Sequence, residues 1–299
     1  MKKILLPLVV FATAAAASPV AADDQEALVK RGAYLVNGPA ACANCHTPRN
    51  PDFSLITDKN LAGGFHLVDP AFDVYSANIT PDKATGIGNW TDEQIMRAIR
   101  QGIDDEGKVI FPPMPVPTYN NMSDDDVKAI VAYLHTVPAV QNKVPESKWN
   151  IPQQAMPPPK GAPAPSAEDK VAYGGYLVNA VAHCFECHTT PDEHGVPDVA
   201  HHLGAGGFKI ALAPGMDVMT PNITSDKETG IGNWTAADIK KALTDGVTPT
   251  GQHLSPPMPF PWFKNMTDQD LDAIVAYVQT LPPISNKVER TDFQKTAFK

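Results

Sequence analysis

Behind Lys2 and Lys3 the chain opens on an apolar run from Ile4 to Ala17, followed by small residues that end at Val20-Ala21-Ala22. A charged start, a short apolar stretch and small residues are the order of a secretory signal peptide. The run falls short of the ~20 residues that a bilayer span requires. Cleavage after Ala22 is therefore expected, with residues 1–22 as signal peptide and no stable membrane span in the mature chain. Beyond it the apolar rhythm is helical. Ile130, Val131 and Leu134 lie three, four and seven residues after Val127, which predicts a helix that Ser123 caps and that stops before Pro138. Thr91 with Gln94 makes a capping box for a helix ending near Gly102. A first helix is expected from Gln25 to Asn37, with a counterpart from Glu168 to Asn179. Thr235 and Thr267 open two more. Few runs alternate as strands do, so the expected class is all-α, helices joined by long loops.

The same pattern is written twice. GAYLVNGPAACANCH at 32–46 returns as GGYLVNAVAHCFECH at 174–188. Asn78-Ile-Thr returns at Asn222, Thr85-Gly-Ile-Gly-Asn-Trp90 at Thr229, Pro112-Pro-Met-Pro at Pro256, and Ala129-Ile-Val-Ala-Tyr133 at Ala273. The offset is 142 residues at the cysteines and 144 from the Asn-Ile-Thr string onward. Two tandem domains follow, over 23–137 and 167–299. Residues 138–166 are a Pro-rich linker, a semi-rigid spacer by composition; Trp149, Ile151 and Met156 give it apolar groups to lay against a domain. Gly32 and Gly174, with Tyr133 and Tyr277, suit a close crossing of first and last helices.

Without its two N-terminal lysines the chain keeps 22 basic against 33 acidic side chains. That balance excludes a nucleic-acid partner, which needs a basic footprint. It suits either simple solubility or a partner with a basic docking face.

All four cysteines fall in Cys-x-x-Cys-His strings, Cys42–His46 and Cys184–His188. This is the spacing of c-type haem attachment. Two thiols one helical turn apart can add to the two vinyl groups of one haem, and the next residue, His46 or His188, then reaches the iron as proximal ligand. A structural zinc would draw the pairs together, although each lies in its own repeat with its own histidine. A thioredoxin-type pair needs a strand–helix–strand setting that the pattern lacks. Two covalently bound haem c groups are expected. For the sixth position the candidates are Met114 and Met258, each flanked by prolines that fix the backbone and remove competing donors. Met122 and Met266 precede helix caps and read as hydrophobic staples. The remaining histidines, His66, His135, His183, His194, His201, His202 and His253, have no counterpart in the other copy and are expected mostly on the surface. Asn78, Thr80, Trp90 and their equivalents Asn222, Thr224 and Trp234 are read either as contacts to haem propionates or as groups satisfying their own loop. Glu186 takes the place of Asn44 inside the second motif, where an acid is expected to lower the second haem's potential.

The string from Asn78 to Thr91, followed by PPMP and Asn121-Met-Ser-Asp, resembles the cytochrome c subunit of bacterial periplasmic dehydrogenases acting on alcohols, aldehydes or sugar acids. The second copy resembles it equally. The resemblance implies class I cytochrome c domains, haem on Cys42, Cys45 and His46 and on Cys184, Cys187 and His188, and Met114 and Met258 as sixth ligands. It also implies electron transfer from a periplasmic dehydrogenase to a cytochrome or terminal oxidase. The familiar subunits carry three haem motifs, whereas this chain has two and ends in a polar tail, DFQKTAFK. That departure points to a soluble periplasmic carrier without catalysis of its own. A dihaem enzyme such as a peroxidase is the alternative; it needs an open iron position in its working state, and known thiosulfate-oxidising dihaem enzymes would need a further cysteine ligand.

Overall fold

Why the helices begin and end where they do is visible in their caps. In a computed structural model that describes residues 19–193, 196–213 and 216–289, α3 spans Asp92–Gln101. Thr91 Oγ1 accepts the Gln94 amide while the Gln94 side chain returns to the Thr91 amide, and Gly102 closes the helix at φ 66°. Ser123 caps α5, Asp124–Leu134. In the second half Thr235 and Thr267 cap α8, Ala236–Asp245, and α10, Asp268–Val278. Each cap satisfies an amide that the helix leaves without an internal partner.

The first helix, α1, is longer than expected and runs Pro19–Asn37. Its counterpart is shorter: α6 covers Lys170–Tyr176 and continues as a π-helical turn over Leu177–Val181. The expected signal peptide lies mostly outside the described residues, as do the polar tail and His194. Short helices carry the cysteines, α2 (Cys42–His46) and α7 (Cys184–Cys187), and follow the proline–methionine loops, α4 (Val116–Tyr119) and α9 (Phe260–Phe263).

In both halves the first and last helices cross at a glycine. A Cβ on Gly32 would stand 1.8 Å from the Ala129 carbonyl oxygen, and one on Gly174 would stand 1.9 Å from that of Ala273. Only a missing side chain permits that approach. The crossing packs Leu35 and Val36 with Val127, Ile130 and Val131, and Leu177 and Val178 with Leu271, Ile274 and Val275. A single hydrophobic cluster joins these sets across the two halves.

The all-α expectation needs correction, since the protein is mostly helical but contains strands. β1 (His66–Asp69) and β2 (Phe72–Tyr75) form an antiparallel hairpin, and β3 (Lys148–Trp149) adds to it through Phe72↔Trp149. β4 (Lys209–Ala213) pairs with β5 (Met216–Met219) in the second half. Strands of two to five residues are too short for a period-two pattern to stand out.

β3 belongs to the Pro-rich segment, which lies along the first half as a strap. Trp149 Nε1 donates to the Pro112 carbonyl at 2.6 Å and Gln153 Nε2 to that of Phe111 at 2.9 Å. The Met156 amide bonds the Gln101 carbonyl. Ile151, by contrast, is exposed.

Candidate functional site

The residue before each first cysteine turns the chain sharply. Ala41 (φ 46°) and His183 (φ 42°) are left-handed, a costly conformation for residues with a Cβ. Repetition of that strain at matched positions marks both turns as built features. Each Cys-x-x-Cys then forms one helical turn, with both thiols on it. None of the four cysteines forms a disulfide. Burial pushes the Cys42 and Cys184 thiols up to about 12, the opposite of the lowered thiol of a redox-active pair.

The histidines are oriented alike. His46 Nδ1 lies 2.7 Å from the Ala77 carbonyl oxygen, and His188 Nδ1 lies 2.9 Å from that of Pro221. A carbonyl can only accept, so Nδ1 carries the proton and Nε2 keeps its lone pair for a metal. Burial lowers the pKa of both imidazoles against these bonds, which favours the neutral, ligating form. The carbonyls come this close because of two glycines. Gly63 donates to the His46 carbonyl and Gly206 to that of His188. A Cβ on either would fall 2.4 Å from the backbone of Ala77 or Pro221.

Met114 and Met258 are half-buried and pack against the apolar cluster, whereas Met122 and Met266 are buried within it. Asn78 and Asn222 spend their amides on their own halves. Asn78 Nδ2 donates to Thr85 Oγ1 and the Val140 carbonyl, and its Oδ1 accepts from the Thr80 amide and hydroxyl. Asn222 repeats this with Thr229, Ile284 and Thr224. Both side chains are used in satisfying loops.

The pattern of residues did not reveal that the two motifs face each other. Asn44 Nδ2 donates to the Pro257 carbonyl of the other half at 2.8 Å. At the matching place Glu186 hydrogen-bonds Thr118 on α4, and burial pushes its carboxyl up to about 8. Tyr119 meets His183 edge to face at 5.9 Å and donates to the Ala40 carbonyl. His183 is thus a correction to the surface expectation. His66, His135, His201 and His202 do lie near the surface, beside carboxylates.

Two reciprocal clasps close the same interface. Tyr34 OH donates to Asp270 at 2.6 Å, and Tyr176 OH to Asp126 at 2.6 Å. Each tyrosine oxygen also accepts an amide, from Thr267 or Ser123. The available signal was Tyr-Leu-Val-Asn at matched places, a polar aromatic on helices whose neighbouring positions are core. Among the described residues no three His, Cys, Asp or Glu side chains gather as a metal cluster.

Comparison with known proteins agrees with this duplicated arrangement. The cytochrome c family model matches residues 171–282, and that of cytochrome c oxidase, cbb3-type, subunit III matches 27–134. The chain is 30% identical to a dihaem cytochrome c-type protein of Cereibacter sphaeroides, over 81% of this chain and 82% of that one. The chain belongs to the dihaem c-type cytochromes. This cytochrome is also 33% identical to the cytochrome c subunit of the quinone alcohol dehydrogenase of Gluconobacter oxydans, over 93% of the chain and 60% of that subunit. With the gluconate 2-dehydrogenase cytochrome c subunit of Pantoea cypripedii it shares 33% over 94% of the chain and 65% of that protein. It therefore spans about three fifths of the length of those relatives. Family and paired cysteines together are consistent with two haem c sites.

Proposed function

We propose that this cytochrome carries two covalent haem c groups and passes electrons from a periplasmic dehydrogenase toward the respiratory chain, without a substrate of its own. In this reading Cys42 and Cys45 tether the first group, with His46 and Met114 on its iron. Cys184 and Cys187 tether the second, with His188 and Met258. Residues 23–137 and 167–299 form the two domains and 138–166 the segment between them. The export signal assigns the chain to the periplasm, and a cytochrome or terminal oxidase is the acceptor.

The observation that carries this is the matched pair of histidines beside paired thiols, each with Nδ1 on a backbone carbonyl and Nε2 left to bind iron. Bound haem supplies one-electron chemistry. The protein's part is to hold each imidazole neutral and fixed, with Met114 and Met258 as the residues that would supply a thioether to each iron. Methionine as sixth ligand raises the potential relative to two nitrogen ligands, as suits an acceptor of electrons from a dehydrogenase.

A pyridine haemochrome count with an oxidised optical spectrum tests the reading. Two haems per chain, low-spin, with the weak sulfur-to-iron band on both, are expected. High-spin iron in the resting protein, with turnover of peroxide, would replace the carrier by an enzyme.

A further inference from the structure

The two proline–methionine loops are held by different parts of the chain. Around Met114 the loop carbonyls are taken by the strap, with Trp149 on Pro112 and Gln153 on Phe111. Around Met258 the Pro257 carbonyl is taken by Asn44, a residue of the other half that sits between Cys42 and Cys45. Pro257 immediately precedes Met258, so fixing this peptide restricts where the thioether points.

Asn44 is itself held at its other end. Arg49 Nη2 donates to Asn44 Oδ1 and to the Asn44 carbonyl, both at 2.7 Å. The other guanidinium arm reaches the Phe53 carbonyl at 2.9 Å, and the guanidinium carbon lies 4.9 Å from the centre of the Phe65 ring. With its oxygen fixed by Arg49, the Asn44 amide can turn only its NH2 toward Pro257. A planar donor fork with several fixed partners gives that orientation little freedom.

We propose that Asn44 is a positioning residue for the axial methionine of the opposite half. It steadies the Pro257 carbonyl, and through it Met258, so that sixth-ligand strength at the second haem depends on a residue inside the attachment motif of the first. This rests on Met258 being that ligand. The loading or disturbance of one motif is then felt at the other iron through one hydrogen bond and one peptide.

Imidazole competes with methionine for ferric iron, and its apparent affinity reports how readily the methionine leaves. The test is an imidazole titration of the full-length haem-loaded protein and its Asn44→Ala variant. The two sites are told apart by the paramagnetically shifted methyl signals of their axial methionines in the NMR spectrum of the oxidised form, each lost as imidazole displaces that ligand. Loss of one neutral hydrogen bond shifts such an equilibrium about fivefold. Imidazole should therefore bind the second haem about fivefold more tightly in the variant, with the first haem unchanged. Asn44→Asp, which loses the donor and keeps a partner for Arg49, should do the same and guards against a variant that fails to fold. Unchanged affinity at the second haem, or a change confined to the first, overturns the proposal. A wild-type protein without two methionine methyl signals overturns the ligand assignment as well.

Discussion

Tyr34→Phe and Tyr176→Phe remove the same hydroxyl from matched places, and their costs should differ. Each hydroxyl donates at 2.6 Å to a carboxylate that is 5% exposed. A hydrogen bond to a charged group contributes about 1.5–3 kcal/mol. Without Tyr176, Asp126 still holds the Arg31 guanidinium through two bonds, at 2.8 and 3.0 Å. Without Tyr34, no such cation remains for Asp270: among the described residues no salt bridge reaches it. Tyr34→Phe thus strands a buried charge and should cost about 3 kcal/mol, whereas Tyr176→Phe should cost about 1.5 kcal/mol. With a urea m-value of about 3 kcal/mol/M, the midpoints should fall by about 1 M and about 0.5 M. Urea titration of the haem-loaded protein by far-UV circular dichroism reads both. Equal shifts, or the larger one for Tyr176→Phe, would refute the reasoning from carboxylate pairing.

Gly32→Ala should be destabilising although alanine is the better helix former by about 1 kcal/mol, because its Cβ would lie 1.8 Å from the Ala129 carbonyl oxygen. A net loss of at least ~2 kcal/mol is expected, and thermal unfolding showing less than ~0.5 kcal/mol would mean that the helices separate freely. Burial lowers the His183 pKa from 6.5 to about 4. Between these values the unfolded chain binds the proton and the folded chain does not, so stability is complete above pH 6.5 and declines toward pH 4. The decline amounts to about 3 kcal/mol. His183→Asn, which tolerates the left-handed backbone, should flatten the curve between about pH 7 and about pH 4.5; an unchanged slope would remove His183 as its source.

Much of each half was legible because it is governed by local rules. Thr91, Ser123, Thr235 and Thr267 announce helix starts through hydrogen bonds that reach only three residues. The glycine crossing was legible from Gly32 and Gly174 paired with Tyr133 and Tyr277. The thiol and histidine positions follow from spacing alone. The hairpins escaped notice because each strand of His66–Tyr75 is only four residues long. The interface was hidden for a different reason. Asn44, Tyr34 and Asp270 are polar residues whose partners lie about two hundred residues away, and no periodicity encodes such a distance. His183 looked like an unmatched surface residue because its ring partner, Tyr119, belongs to the other half. The aspartates at the helix starts looked like ordinary first-turn acids favoured by the helix dipole, although Asp126 and Asp270 each serve the opposite half as well.

The reciprocal clasps have the geometry of a two-fold dimer interface, yet both sides are written in one chain. In a dimer of identical chains every residue at such an interface appears on both sides, and the two metal centres beside it stay equal in energy. Here the matched positions have parted: Arg31 faces Tyr173 in the alignment, Ala41 faces His183, Asn44 faces Glu186 and Arg49 faces Pro191. Two of these pairs lie in or next to a cysteine motif. Joining the copies end to end therefore frees the two centres to differ in charge and burial while keeping the contact that brings them together. An electron shared by equal sites has no preferred side. On the proposed reading, broken symmetry lets these two sites differ in potential.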